Sequence, residues 1–127
     1  MNAGMTVRHR KRILLVEDDN SLARLYRGVL RMAGFDAFHV ADGWSALRAI
    51  DEELPDLIVL DVHLPGLRGD ELLRELSARP DTRQIPAIVV TGTDIDLAVA
   101  QARQILRKPC DPDRLVWAVE RYVEAAA

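Results

Sequence analysis

Apolar residues recur along this chain with two different periods. Four short runs are apolar at every position: Ile13-Leu14-Leu15-Val16, Leu57-Ile58-Val59-Leu60, Ala87-Ile88-Val89-Val90 and the shorter Ile105-Leu106. Runs of this kind, bounded by polar and turn-forming residues, read as strands buried on both faces, the pattern of a parallel sheet. Phe35 to Val40 is one further short strand candidate. Between these runs the apolar positions follow helical spacing. Leu22, Leu25, Tyr26, Val29, Leu30 and Ala33 mark a first helix, with Asn20 or Ser21 available as its cap and Gly34 as its stop. Asp42-Gly43 is a turn, and Trp44, Leu47 and Ile50 mark one face of a second helix. Leu67, Leu72, Leu73 and Leu76 mark a third, ending near Ala78. A weaker helical stretch runs from about Ile95 to Arg103. Leu115, Val116, Val119, Tyr122 and Val123 form the inward face of a last helix, capped by Asp111 or Asp113.

Strand and helix therefore alternate five times. That order implies parallel pairing through right-handed crossovers, hence an α/β, doubly wound, five-stranded sheet with helices on both faces. The folded domain is expected over residues 12–125. Residues 1–11 read as a flexible basic tail, and the run Arg8-His9-Arg10-Lys11-Arg12 is most simply solvated.

Composition narrows the picture. At 127 residues the chain suits one domain with a real core. A formal net charge of -3 offers no argument for nucleic-acid binding. Cys110 is the single cysteine, so no intrachain disulfide can form, and a reducing, cytoplasmic setting is expected. Cys110 itself reads as a small hydrophobe rather than a reactive thiol. No apolar run approaches the length of a membrane span, and the polar start, Met1 to Arg12, is not a secretory signal.

The candidate chemistry lies where the strand runs stop. The first run ends in Glu17-Asp18-Asp19, the Leu57 run in Asp61, the Ala87 run in Thr91, and the last run leads to Lys108. In a parallel sheet every strand's carboxyl end lies on one edge, where open α/β sheets bind ligands. Three crowded carboxylates repel one another. A hard divalent cation such as Mg²⁺, which favours oxygen ligands, resolves that conflict. A lysine ammonium and a threonine hydroxyl opposite suit phosphoryl oxygens. Asp61 can then serve as an in-line nucleophile that forms an acyl phosphate. Taken singly, each residue has a plainer reading: Asp61 and Asp18 as caps, Thr91 as a turn hydroxyl, Lys108 as a solvated strand end.

With these residues the sequence resembles the receiver domain of two-component response regulators. The resemblance is carried by Leu14-Leu15-Val16-Glu17-Asp18-Asp19, by Asp61-Val62-His63-Leu64-Pro65-Gly66-Leu67-Arg68-Gly69, by Thr91-Gly92 and by Lys108-Pro109, and it covers roughly residues 12–124. It implies a flavodoxin-like strand order 2-1-3-4-5. It implies Asp61 as phosphoacceptor and Asp18 as a direct Mg²⁺ ligand, together with Asp61 and the main-chain carbonyl of His63. Glu17 would hold the metal through water. Thr91 and Lys108 would bind the attached phosphoryl group, with a cis Lys108-Pro109 bond. Gly92 would leave room for the phosphodonor, while His63 and Thr93 would modulate hydrolysis. The implied partners are a histidine kinase or phosphotransfer protein as donor and an unidentified downstream protein, with a second copy of the chain as a further candidate. Neither nucleic acid nor membrane is expected. The domain would catalyse its own phosphorylation and dephosphorylation without turning over an external product.

Three features depart from the family. The segment between Thr91 and Lys108 is short by about a helical turn, so the fourth helix is expected to be short or displaced. Ile105 stands where the family usually carries an aromatic switch residue, and its stiff, hydroxyl-free side chain does not carry that part of the mechanism. Cys110 replaces a usual bulky apolar residue. Two other readings stay open on sequence alone. One is a degenerate receiver acting as a phosphorylation-independent interaction module. The other is an Mg²⁺-dependent phosphatase with an Asp nucleophile, although His63 occupies the place of that class's second acid and the chain has no room for a cap domain.

Overall fold

Residues 10–92 and 101–125 are described by the computed structural model. The elements are β1 (Arg12–Val16), α1 (Asn20–Met32), β2 (Asp36–Val40), α2 (Gly43–Glu52), β3 (Leu57–Leu60), α3 (Gly69–Ser77), β4 (Ala87–Thr91), β5 (Gln104–Arg107) and α4 (Pro112–Ala125). All strand pairs are parallel, in the order β2-β1-β3-β4-β5. This is the doubly wound sheet and the strand order expected. Most of the expected tail, and residues 95–100 of the weak helical stretch, lie outside the described residues, and residues 101–103 of that stretch are not helical. Among the described residues no helix is long and apolar enough to cross a membrane.

The continuous apolar runs make sense in three layers. Side chains alternate along a strand, so each run supplies two cores at once. Ile13, Leu15, Leu57, Val59, Ile88 and Val90 pack with Ala23, Tyr26 and Leu30 of α1 and with Leu115, Val119 and Val123 of α4. Leu14, Val16, Ile58, Leu60 and Val89 pack on the other face with Ala46 and Ile50 of α2 and with Leu72, Leu73 and Leu76 of α3. Each such aliphatic side chain, once removed from water, contributes on the order of 1.5–3 kcal/mol. The strand register is thereby held by both faces, and with it the position of every residue just beyond a strand.

The helix ends revise several details. Asp19, not Asn20 or Ser21, caps α1: its Oδ1 accepts the Leu22 N–H at 3.1 Å. That leaves Asp19 with a local role, because an unpaired first-turn N–H seeks a carboxylate. Asp42 caps α2, accepting the Ser45 N–H at 2.7 Å and the Ser45 hydroxyl at 2.9 Å, and these bonds hold its carboxyl below the ordinary range. Asp111, rather than Asp113, caps α4 by accepting the Asp113 N–H at 2.9 Å. Leu67 lies in the loop before α3, not on the helix. Trp44 and Trp117 are helical, and both are about half exposed.

α3 begins unusually close to β3. The Gly69 N–H donates to the Val62 carbonyl at 2.8 Å. A Cβ added to Gly69 would overlap the Asp61 carbonyl oxygen and sit 2.8 Å from Val62 Cα. Both neighbours are backbone, so neither can swing aside. Gly69→Ala should therefore lower stability by about 1–3 kcal/mol, the usual range for overpacking, despite alanine's better helix propensity. Urea unfolding of both proteins tests this; an unchanged midpoint for the variant would show that the backbone yields.

Candidate functional site

β1, β3 and β5 deliver the charged residues to one place. The Asp61 N–H donates to the Val16 carbonyl at 3.3 Å, and the Glu17 N–H to the Val40 carbonyl at 3.1 Å, so the sheet ladder continues past the strand ends. The Lys108 N–H likewise donates to the Thr91 carbonyl at 3.0 Å. Carboxylate oxygens of Glu17, Asp18 and Asp61 lie within 4.8 Å of one another. Glu17 and Asp61 are buried, while Asp18 is exposed. Into this cluster projects Lys108, whose Nζ stands 2.8 Å from Asp61 Oδ2 and 2.9 Å from Glu17 Oε1.

Each acid is held by further bonds. Asp61 Oδ1 accepts the His63 N–H at 3.0 Å. Glu17 Oε2 accepts the Asp19 N–H at 3.1 Å. His39 Nε2 lies 2.6 Å from the Glu17 carbonyl oxygen. A carbonyl can only accept, so His39 carries its proton on Nε2 there. His39 is a supporting residue that the sequence reading missed. Its one signal was its place at the end of β2, beside the same sheet edge.

The electrostatics follow from burial. Burial raises the Glu17 pKa above its ordinary 4.5; Lys108 and the Asp19 N–H oppose this, and the neighbouring Asp18 carboxyl adds to it. For Lys108, burial disfavours the charged form, but its bonds to Asp61 and Glu17 outweigh that loss and raise its pKa above 10.5. The ammonium is thus the counter-charge for two acids. The oxygen-only donor set of Glu17, Asp18 and Asp61 fits a small hard divalent cation, which would add charge where three carboxylates meet.

The remaining predicted residues fall as follows. Thr91 ends β4 and is buried. Gly92 follows it, exposed, and among the described residues a Cβ there would meet only Lys108 Cβ at 3.8 Å, an ordinary contact. The Lys108-Pro109 peptide is cis. The His63 side chain is exposed in the loop after β3. Ile105 pairs with Val89 and packs, half-buried, against the α2–α3 core. Cys110 packs at the margin of the α1–α4 core, and burial pushes its thiol up, as suits a small hydrophobe. Thr93 lies outside the described residues.

These charges predict how stability depends on Lys108. Lys108→Ala leaves Glu17 and Asp61 buried without their cation, and should cost about 1–3 kcal/mol at neutral pH without added metal, the usual penalty for an orphaned buried polar group. Glu17 binds its proton more tightly folded than unfolded, so its protonation favours the folded chain. The deficit should therefore shrink as pH falls through the raised Glu17 value toward 4.5. Urea midpoints of both proteins over a pH series test this. A deficit that stays constant with pH would mean that Lys108 acts through packing alone.

Comparison with known proteins agrees with this geometry. The family model described as the response regulator receiver domain matches residues 13–120. The DNA-binding response regulator MtrA of Mycolicibacterium paratuberculosis is 39% identical over 112 residues, covering 84% of this chain and 48% of MtrA. The chain thus spans about half the length of that relative. The signal receiver domain of a signal transduction histidine kinase from Syntrophus aciditrophicus superposes with a TM-score of 0.83 at 32% identity, over 91% of each chain. The receiver domain of a sensor histidine kinase from Pseudomonas aeruginosa PAO1, solved with a magnesium ion coordinated in its active-site cleft, gives a TM-score of 0.83 at 29% identity, over 91% of this chain and 99% of that one. Fold, order of charged residues and similarity all converge, and the chain belongs to the family of response regulator receiver domains.

Proposed function

We propose that this receiver domain accepts a phosphoryl group on Asp61 from a phosphohistidine on a donor protein, with Mg²⁺ as cofactor, and so switches contact with a downstream protein. The observation that carries the reading is the position of Lys108, bridging Asp61 and Glu17 within an acidic cluster at the carboxyl edge of the sheet. An unprotonated Asp61 oxygen attacks phosphorus in line. The bond from phosphorus to the donor imidazole nitrogen breaks, the nitrogen keeps the electron pair, and Asp61 is left as an acyl phosphate. Lys108 holds the oxygens through which charge develops, and Thr91, next to it across the sheet edge, offers a hydroxyl to the transferred group. Glu17, Asp18, Asp61 and the His63 carbonyl would hold Mg²⁺, which supplies charge neutralisation when bound. His63, Thr93 and Gly92 would set access and lifetime.

The same charge set weighs against the two other readings. A phosphorylation-independent module has no need of two acids buried at a cost around a lysine, with a third beside them. A phosphatase would need a second acid where His63 stands. The DNA binding in MtrA's name belongs to a protein about twice this length and is not assigned to this segment.

Incubation with a small phosphodonor and Mg²⁺ should add one phosphoryl group to the intact mass of the wild type and none to Asp61→Asn. Chelating the metal should abolish the adduct. Equal labelling of the variant, or no adduct on the wild type, would overturn the reading.

A further inference from the structure

The loop from Asp61 to Gly69 is held by Val62 and Leu64, both buried in the α2–α3 core, and by hydrogen bonds of its own. The His63 N–H donates to Asp61 Oδ1 at 3.0 Å, the Leu64 N–H to the Val62 carbonyl at 3.1 Å, and the Gly69 N–H to the same carbonyl at 2.8 Å. Its apex is Gly66, with φ at 73°, a left-handed conformation that glycine adopts at no steric cost. At its apex the loop also meets the first turn of α2, at two successive residues. A Cβ on Gly43 would overlap the Leu67 carbonyl oxygen, so helix and loop backbones are in direct contact there. A Cβ on Gly66 would sit 2.8 Å from Trp44 Cδ1 and 3.2 Å from Trp44 Nε1, so the indole edge lies across the apex.

α2 is a firm mount for this contact. Its first turn is capped by Asp42, and Ala46 and Ile50 are fully buried. Trp44 is nevertheless 55% exposed. A tryptophan placed mainly for hydrophobic burial would hide more of its ring. What Trp44 does cover is the one apex position where no side chain intervenes.

We propose that Trp44 is a positioning residue for the site: by lying across Gly66 it holds the Asp61–Gly69 loop in the conformation from which Asp61 and the His63 carbonyl meet a divalent cation. This deepens the receiver reading above and rests on it. Indirect supports of metal sites commonly alter affinity without touching the ion, because a ligand free to wander must be ordered on binding. Trp44 meets the loop at Gly66 and acts through it.

The test is Mg²⁺ binding followed by calorimetry, with thermal unfolding of the metal-free proteins alongside. Trp44→Ala should weaken Mg²⁺ binding by about tenfold, the low end for loss of an indirect support, with a nearly unchanged melting temperature. Trp44→Phe should restore most of the affinity. In a Trp117→Phe background, Trp44 emission should shift on Mg²⁺ addition and saturate with the calorimetric isotherm. Wild-type affinity in Trp44→Ala would overturn the proposal, as would a loss of affinity matched by a loss of fold. If the wild type takes up phosphoryl and Mg²⁺ while Trp44→Ala matches it, only the role of Trp44 fails. If the wild type takes up neither, the receiver chemistry fails and this proposal fails with it.

Discussion

Two buried carboxylates share one ammonium, and much of this molecule serves to make that arrangement tolerable. Taking Glu17 and Asp61 out of water is unfavourable unless a partner of opposite charge replaces the lost hydration. Lys108 is that partner for both, at 2.9 and 2.8 Å. Its reach is dictated by the parallel sheet. β5 ends level with β4, as the bond from the Lys108 N–H to the Thr91 carbonyl shows, and β1 and β3 end level with each other through the Asp61 N–H and the Val16 carbonyl. Slipping one strand by a residue would invert its two apolar faces and withdraw its charge from the edge. The two cores that fill both faces are thus also what holds the charges in place.

A second constraint works through backbone contact instead of charge. Gly69 brings the start of α3 against Asp61 and Val62, and Gly43 brings α2 against Leu67. Close approach of two backbones leaves no adjustable side chain between them, so small displacements are transmitted instead of absorbed. The phosphoacceptor candidate therefore sits between an electrostatic tie on its carboxylate and steric ties on its main chain. The first responds to pH and cations, the second only to packing.

How much of this was legible in the sequence follows from which forces act locally. The strands were legible because continuous apolar runs have one simple explanation, a sheet covered on both faces. The convergence of Glu17, Asp18, Asp61, Thr91 and Lys108 followed from parallel topology once the alternation was recognised. Caps were harder. Asp19, Asn20 and Ser21 all suit an N-cap, and only the geometry shows that Asp19 meets the Leu22 N–H. Trp44 fitted the helical period with Leu47 and Ile50, yet periodicity cannot tell a core position from a flank that another loop passes over. His39 was hard to single out for a related reason. Its bond to the Glu17 carbonyl joins residues 22 apart in sequence, and no spacing rule links them.

Ile105 shows where the family pattern and this chain part. It occupies β5 opposite Val89 and joins the core on the α2–α3 side, with a branched side chain that has one strongly preferred rotamer. A residue so placed has neither the ring nor the freedom to swing between buried and exposed positions. Any coupling from Asp61 to the surface then needs a route other than an aromatic ring at position 105. The loop after β3 supplies a physical one. It begins at Asp61, touches α2 at Gly66 and Leu67, and ends against α3 at Gly69. These contacts join Asp61 to the α2–α3 side of the sheet through backbone, independently of β5.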